Sequence, residues 1–391
     1  MFALTQALTR RGHVVVLAGP PDFAGDAAVL GIDYRGMGRS MDVFLSRNSA
    51  AFHSNTLRLA RAIKREVRTE TAAQFDLLAP LARDADRVVG ASLAFAAPSC
   101  AEYAGRPYRF IAFAPETFPS RHYPALGERR QDLPRWLNSV SWWVARRLDN
   151  WLLRAPINQG RARLGLAPIR DALAHFADPT CSLLATDVEL APAAPDVRVP
   201  GLPTGAMLLG DDGPLPEHVE AFLAAGPPPV YIGFGSMPDA RPEKTRAIIA
   251  EAVRGVGCRA MVYVGRAADM NLELGPSLLA IGALPHTRLL SRVALAVHHG
   301  GAGTCARAAR AGIPQVILPH VLDQFPWAAR LARRGLAPAP LFRRNLTGAA
   351  LAERILQALD DSQMRERAAN LARVLAGREG ADEAAAILSR P

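Results

Sequence analysis

The chain has 391 residues, of which half are hydrophobic and 21% are charged, and its formal net charge is +10. This length exceeds that of one ordinary core and predicts two domains, and the composition excludes a disordered chain. The four cysteines (Cys100, Cys181, Cys258 and Cys305) are widely spaced without a CxxC pair. Their spacing argues against a disulfide scaffold and a zinc site, and indicates a reducing cytoplasm. No stretch approaches the ~20 apolar residues of a membrane span.

The positive charge is spread along the chain, apart from one basic segment. Residues 129–170 hold nine arginines against two aspartates. A basic excess raises nucleic acid and anionic membranes as partners. Neither an RNA-binding aromatic signature nor zinc-finger spacing accompanies it, so we expect no nucleic-acid partner.

The first half of the chain alternates helical and strand patterns. A helix is predicted from Phe2 to Arg11, where Gly12 ends it, and an apolar strand follows from His13 to Gly19. Further helices are predicted over 55–85 and 96–104, with strands beginning at Arg87 and Tyr108. Short apolar strands that alternate with helices predict a parallel, doubly wound α/β sheet.

The βα rhythm restarts after a stretch rich in proline and glycine. Strands are predicted from residues 230, 259, 278, 292 and 313, and helices over 241–255 and 305–311. We therefore predict an N-terminal domain over 1–200, a linker over 201–228 and a C-terminal domain over 229–391, with the C-terminal helix crossing back to the first domain. Two such Rossmann-like domains face each other across a cleft, and ligands bind at the carboxyl ends of their strands.

The strongest motif is His298-His-Gly-Gly-Ala-Gly-Thr304, between an apolar strand and a helix. Glycines let a ligand approach the backbone, and the start of the helix offers free N–H groups, so the motif suits a diphosphate. It is not a Walker loop, because no lysine follows the glycines. The alternative is a tight turn with a purely steric need for glycine. We expect no metal ion here, since adjacent histidines at a strand end point to opposite faces.

Three weaker elements lie at other strand ends. Gly233-Phe-Gly-Ser236 could admit a phosphate or form an ordinary turn. Asp323 and Gln324 suit vicinal sugar hydroxyls, although an Asp before a helix is also a frequent N-cap. The loop Leu284-Pro-His286 could hold a nucleobase, or be a simple exposed turn.

The ordered series GFGS, LPH, HHGGAGT and DQ resembles the UDP-glycosyltransferase superfamily, in its bacterial antibiotic and sterol glucosyltransferase-like branch. The resemblance implies a GT-B fold of two Rossmann-like domains, with acceptor bound by the first and nucleotide sugar by the second. It also implies metal-independent, inverting transfer of a sugar, glucose from UDP, without a bound cofactor. The donor-binding residues that it implies are Ser236, Leu284, His286, His298, Gly300, Gly301, Ala302, Gly303, Thr304, Asp323 and Gln324.

The general base of such an enzyme has no clear counterpart. The resemblance places it in a turn after the first strand of the N-terminal domain, and this chain begins within what looks like the first helix. We therefore expect ~15–20 further residues upstream of Met1, with the base among them. His13 and Asp22 are weak candidates, and His53, Glu116 and His122 are conceivable. The alternative function is a catalytically silent nucleotide-sugar-binding protein that lacks the base.

The basic segment 129–165 also carries four tryptophans: Trp136, Trp142, Trp143 and Trp151. Tryptophan on a basic face is typical of an interfacial helix, which predicts peripheral contact with the inner membrane face. The alternative is an amphipathic helix pair over the acceptor cleft, with solvated arginines. Both interpretations predict an apolar acceptor such as a sterol, lipid or polyketide.

Overall fold

The computed structural model describes residues 1–40, 56–200 (with side chains from residue 63), 203–211, 213–234, 241–265 and 277–390. In the N-terminal half the predicted alternation of helices and strands is confirmed. The elements are α1 (Phe2–Arg10), β1 (Val16–Gly19), α2 (Ala24–Val29), β2 (Asp33–Gly36), α3 (Thr56–Arg83), β3 (Val88–Ala91), α4 (Ala97–Ala104), β4 (Tyr108–Ala112), α5 (Arg135–Arg163), α6 (Ala172–Phe176) and β5 (Ser182–Leu184).

The N-terminal strands form two separate parallel sheets in the described part of the chain. Strand β1 pairs with β2, and a second sheet has the order β3-β4-β5. The larger sheet, α3, α4 and α5 share one core that includes Phe75, Phe110 and Ile157. Helix α1 lies against both sheets. Its Phe2 contacts the ring of Tyr34 in β2, and its Leu4 packs with residues of β3 and β4.

Residues 129–165 contain one long helix rather than the expected helix pair. Helix α5 runs through Pro156 for 29 residues. Leu153 and Ile157, four residues apart, are both buried in the same core. Packing on one face therefore holds the helix continuous across a residue that would interrupt an isolated helix.

The described residues of the C-terminal half form a five-stranded parallel sheet in the order β10-β9-β6-β7-β8. Its strands are β6 (Val230–Gly233), β7 (Ala260–Tyr263), β8 (Leu278–Ile281), β9 (Leu295–His298) and β10 (Gln315–Ile317). Its helices are α7 (Glu217–Ala224), α8 (Pro242–Val256), α9 (His286–Leu290), α10 (Ala302–Ala311), α11 (Gln324–Arg333), α12 (Gly348–Asp360), α13 (Ser362–Leu375) and α14 (Gly380–Leu388).

The chain passes between the two halves twice, once through the predicted linker and once before the C-terminal helix. Helix α7 falls inside the predicted linker 201–228, yet its Val219 and Leu223 pack with residues of the C-terminal sheet. The C-terminal helix does cross back: α14 packs against α1 through small residues such as Ala7 and Ala384. The two chain crossings touch, since a Cβ on Gly380 would lie 2.4 Å from the carbonyl carbon of Gly205.

Neither membrane spans nor metal clusters are found in the described ranges. No helix there is both long enough and apolar enough to cross a bilayer. The same residues include no group of three or more His, Cys, Asp or Glu side chains that could hold a metal ion.

A buried ion pair joins the two halves. Arg310 of α10 donates to both carboxylate oxygens of Asp187, at 2.8 and 2.9 Å. The Asp187 side chain, just after β5, is fully buried, and it also accepts from the Ala206 N–H at 3.2 Å. A buried carboxylate that loses its cation is strongly destabilising.

We predict that Arg310→Met lowers the free energy of unfolding by about 3 kcal/mol, because it leaves Asp187 buried without a counter-charge. The measurement is urea denaturation followed by circular dichroism. Adding Asp187→Asn should restore part of the loss, whereas Arg254→Met on the exposed face of α8 serves as the control. A loss below about 0.5 kcal/mol for Arg310→Met would contradict a role in joining the halves.

Candidate functional site

The carboxyl ends of three neighbouring strands place the predicted motifs in one row. Gly233 of β6 pairs with His298 of β9, and His298 pairs with Ile317 of β10. The turn after β9 leads directly into α10, whose N-cap residue Gly301 has no side chain to cap the helix. Three backbone N–H groups in the first turn of α10, those of Ala302, Gly303 and Thr304, thus begin the helix without an intrahelical acceptor. This arrangement favours binding of an anion.

The glycines of the turn are required by its geometry. Gly300 has a φ of +92°, and a Cβ there would lie 2.8 Å from Cγ2 of Ile317. At Gly301 a Cβ would lie 2.6 Å from Nε2 of His299. Any side chain at Gly300 would therefore be strained and would also push against the strand beside it.

His298 holds the turn from inside. Its ring is fully buried, Nδ1 accepts the Gly300 N–H at 3.1 Å, and Nε2 lies 2.9 Å from Oε1 of Gln315. With Nδ1 accepting, Nε2 carries the proton and donates to Gln315. Burial lowers the pKa of His298 to about 3, so the ring is neutral. Both nitrogens are used within the protein, and in this conformation the ring braces the turn rather than facing a ligand.

The neighbouring His299 is in a different position. Its Nδ1 is buried without a hydrogen-bond partner, and burial lowers its pKa. His299 was not among the donor-binding residues predicted from the sequence, although the doubled histidine was a visible signal. It is the histidine of the pair with a ring nitrogen that makes no hydrogen bond to the described residues.

Acidic residues from outside the motif fix α10. Arg307 binds Asp211 at 3.0 Å, and the same carboxylate accepts the N–H groups of His286 at 2.7 Å and Thr287 at 3.1 Å. Asp211 therefore connects the start of α9 to α10. It was not predicted, because a single Asp in a Pro/Gly-rich stretch has no sequence signature.

The predicted base-binding loop is ordered against the C-terminal core. Nε2 of His286 lies 3.3 Å from the Tyr231 hydroxyl, and burial is the main cause of its lowered pKa. Leu284 packs with the cluster that contains Tyr231. The loop thus presents a rigid backbone beside the sheet edge.

Asp323 and Gln324 have separate roles. Oε1 of Gln324 accepts the N–H groups of His320 at 2.7 Å and Val321 at 3.1 Å, so this side chain shapes the loop after β10. Asp323 makes no side-chain cap to α11, and the N-cap alternative is therefore not realised. Burial, and then the charge of Glu116, raises the pKa of Asp323.

Comparisons with known proteins identify the family of the chain. A family model described as "Erythromycin biosynthesis protein CIII-like, C-terminal domain" matches residues 261–389. The chain is 35% identical to Glycosyltransferase GtfE of Amycolatopsis orientalis, over 88% of this chain and 84% of the relative. It belongs to the UDP-glycosyltransferase superfamily. The vancomycin aglycone glucosyltransferase of the same organism is 33% identical, with coverage of 87% and 82%. A sterol 3-beta-glucosyltransferase of Arabidopsis thaliana is 29% identical, with coverage of 97% and 63%.

Solved structures give the fold. The glycosyltransferase of kitacinnamycin has a TM-score of 0.70 at 20% identity, covering 100% of this chain and 94% of that one. VinC, in complex with dTDP, has a TM-score of 0.66 at 21% identity, with coverage of 99% and 94%. The chain is a glycosyltransferase with the predicted GT-B fold, two Rossmann-like α/β domains.

The two weak base candidates lie at opposite ends of β1 in this glycosyltransferase. His13 precedes the strand, at the end opposite to its carboxyl edge. Its Nε2 lies 2.7 Å from Oγ of Ser389, directly after α14. Asp22 follows the strand and accepts from the Ser40 hydroxyl. Ser236, the predicted phosphate contact, lies outside the described residues, as does His53.

A carboxylate of the N-terminal domain of the glycosyltransferase reaches the other side of the cleft. Glu116, in the 3-10 turn after β4, binds Arg330 of α11 and is 2% exposed. Its second oxygen is buried without a hydrogen-bond partner, as are Nη1 of Arg330 and Nε1 of Trp327. Such unpartnered buried groups are rare and point to a ligand or water. From the sequence, Glu116 was only a conceivable base, and its contact with Arg330 was not predicted.

We predict a steep loss of stability below pH 6.5, because buried histidines of the glycosyltransferase must stay neutral. Burial lowers the pKa of His298 to about 3 and that of His175 to about 4. The unfolded chain takes up protons below pH ~6.5 while the folded chain does not, so each histidine lowers stability by up to about 1.4 kcal/mol per pH unit between pH 6 and 4.5.

Urea denaturation between pH 4.5 and 7.5 measures this slope. His298→Gln and His175→Gln should each reduce the slope by about one proton, whatever their effect at neutral pH. His218→Gln, at an exposed position of α7, is the matched histidine substitution for comparison. An unaltered slope in His298→Gln would show that its ring is not held neutral.

Proposed function

We propose that this glycosyltransferase moves a sugar from a nucleoside diphosphate to a hydroxyl of an apolar acceptor. The observation that carries the proposal is the uncapped start of α10 behind the Gly300–Gly301 turn, in line with Asp323 on the next loop. This edge offers donors for an anion and a carboxylate for hydroxyl groups within one site.

The diphosphate binds to backbone groups in this proposal. The N–H groups of Ala302, Gly303 and Thr304, with the positive end of the helix dipole, stabilise its charge without a metal ion. Neutral His298 keeps these groups in place, and Nδ1 of His299 is a further hydrogen-bonding atom. The loop from Leu284 to His286 flanks the nucleobase through its rigid backbone.

Asp323 binds the sugar through its hydroxyls, and Gln324 holds the loop that positions it. We propose UDP and glucose as nucleotide and sugar. A relative that is named a glucosyltransferase supports the sugar, whereas the related VinC structure contains dTDP. Both nucleotides therefore belong in any binding test.

The transfer inverts the anomeric carbon. The acceptor oxygen forms a bond to that carbon as the bond to the diphosphate oxygen breaks, the diphosphate leaves, and a base takes the hydroxyl proton. Among the described residues, Asp22, Glu116 and Asp187 are carboxylates that follow N-terminal strands at the carboxyl edge, and Asp187 is taken up by its ion pair with Arg310. Glu116 binds Arg330, so one of its carboxylate oxygens is already engaged.

A silent nucleotide-sugar-binding protein is the second candidate function. The observation in its favour is the division of the N-terminal strands into two sheets, which leaves β1 and β2 as a two-stranded unit. A loosely held acceptor domain would orient an acceptor poorly. Turnover separates the two functions, because only an enzyme releases UDP faster when an acceptor alcohol is added.

We propose peripheral membrane contact through one face of α5. Its exposed apolar residues recur at helical spacing: Trp136, Val140, Trp143, Val144, Leu148 and Trp151. Arg154 lies on the same exposed side of the helix. An apolar stripe with tryptophan and arginine is typical of helices that lie in a lipid interface.

We predict that Asp323→Ala weakens UDP-glucose binding by about tenfold, because the lost hydrogen bonds to hydroxyls are charge-assisted. Binding of UDP should stay within about twofold, since free UDP lacks the sugar hydroxyls. Isothermal titration calorimetry with UDP, UDP-glucose, dTDP and dTDP-glucose provides the four affinities. Equal losses for nucleotide and nucleotide sugar would contradict the sugar-binding role, and no binding of any of the four would overturn the proposal.

We predict that the protein cosediments with vesicles of anionic phospholipid at low salt and much less with neutral vesicles. The double substitution Trp136→Ser, Trp151→Ser should abolish this by removing the indoles at both ends of the stripe. Val374→Ser, an exposed apolar residue of α13, is the matched control. Unchanged cosedimentation of the double variant would exclude the α5 face.

A further inference from the structure

A surface cavity of about 530 Å³, wide open to solvent, lies on the N-terminal domain between α5 and the loop 119–121. This volume suits a small organic molecule. Trp142 forms a fixed wall, since it is buried and its Nε1–H donates to the Tyr123 carbonyl at 3.1 Å. Trp143 lies at the opening with 57% of its surface exposed, which offers a flat apolar surface for stacking.

The acidic groups that line the cavity are bound within the protein. Asp196 accepts from the Ser120 hydroxyl at 2.6 Å and from the Arg121 N–H at 2.8 Å. Asp171 accepts from Nε of Arg146 at 2.8 Å and from the N–H of Ala174 at 3.1 Å. Asp171 is thus paired with Arg146, whereas Asp196 is bound by uncharged groups and keeps its negative charge. The lining as a whole holds three guanidinium groups against two carboxylates, an excess of positive charge.

Two guanidinium groups remain. The side chains of Arg121 and Arg147 line the cavity, and neither has a carboxylate within 4.0 Å among the residues that the structure describes. The guanidinium carbon of Arg147 lies 4.2 Å from the centre of the Trp143 ring. The cavity thus combines an indole surface with two arginines that lack an anionic partner.

The loop that lines the cavity is joined in sequence to a contact between the two domains. This loop follows the turn that carries Glu116, which binds Arg330 of the C-terminal domain. The far wall is α5, which packs on α3 and α6. A molecule held here is bound by the domain opposite the nucleotide-sugar site.

We propose that this cavity binds the acceptor, and that the acceptor is a flat apolar molecule with an acidic group, a carboxylate or sulfate, held by Arg121 and Arg147. The proposal rests on the proposed function for the identity of the ligand as acceptor. The aromatic body stacks on Trp143, and the acid pairs with guanidinium groups that match it in shape and charge. The class of acceptor is then an apolar acid that carries a hydroxyl, rather than any apolar alcohol.

The test uses 6-hydroxy-2-naphthoate and its methyl ester, which share the ring system and the hydroxyl and differ in charge. Isothermal titration calorimetry on the whole protein should give an affinity about tenfold higher for the acid, as expected of a charge-assisted contact. Arg121→Gln and Arg147→Gln should each remove most of this preference and leave the ester's affinity within about twofold. Arg154→Gln, on the exposed side of α5 outside the cavity, is the matched control.

Equal affinities for acid and ester in the unsubstituted protein would overturn the proposal, as would failure of both compounds to bind. Retention of the preference in the double variant Arg121→Gln, Arg147→Gln would also overturn it, by placing the acid elsewhere. UDP titrations of the same variants keep this result distinct from the proposed function. If the variants lose the acid preference and keep their affinity for UDP, the result supports acid binding in the cavity. If UDP fails to bind even the unsubstituted protein, the result contradicts the proposed nucleotide site and leaves the cavity untouched.

Discussion

The position of α10 depends on charges held away from water. Its two arginines bind Asp187 at the end of β5 and Asp211 in the connecting segment, so both the N-terminal domain and the linker hold this one helix. An ion pair as buried as Asp187–Arg310 contributes little net stability against apolar residues of similar size, but it tolerates only one arrangement of its partners. The structure thus sets the direction of α10, and with it the direction of the N–H groups at its start.

The same constraint continues into the turn. His298 can accept from Gly300 because its ring is kept neutral by burial and oriented by Gln315 on the neighbouring strand. A charged imidazole would lose the acceptor at Nδ1 and release the turn. The polar groups inside the sheet therefore prepare an anion site whose contacts are made by the backbone, and the site needs little rearrangement on binding.

The alternation of strands and helices could be predicted because buried parallel strands are short, continuous apolar runs. Strand β2 escaped prediction since its residues, Asp33 to Gly36, are mostly exposed and polar, and β5 has only three residues. The glycine turn could be predicted because its requirement for glycine is written in adjacent residues of the sequence. The pairing of Asp187 with Arg310, 123 residues apart, has no local signature. The interpretation of His298 as a ligand contact missed Gln315 for the same reason, because strand register brings the two side chains together.

The contact between Gly205 and Gly380 has a mechanical consequence. Two chain segments join the domains, and they pass each other backbone to backbone at these glycines. We expect two crossings this close together to act as a common pivot, which permits rotation of one domain against the other and resists separation of the domains at this point. A GT-B enzyme that admits and releases its substrates by such a rotation would keep the two halves of its cleft in the same alignment through every cycle.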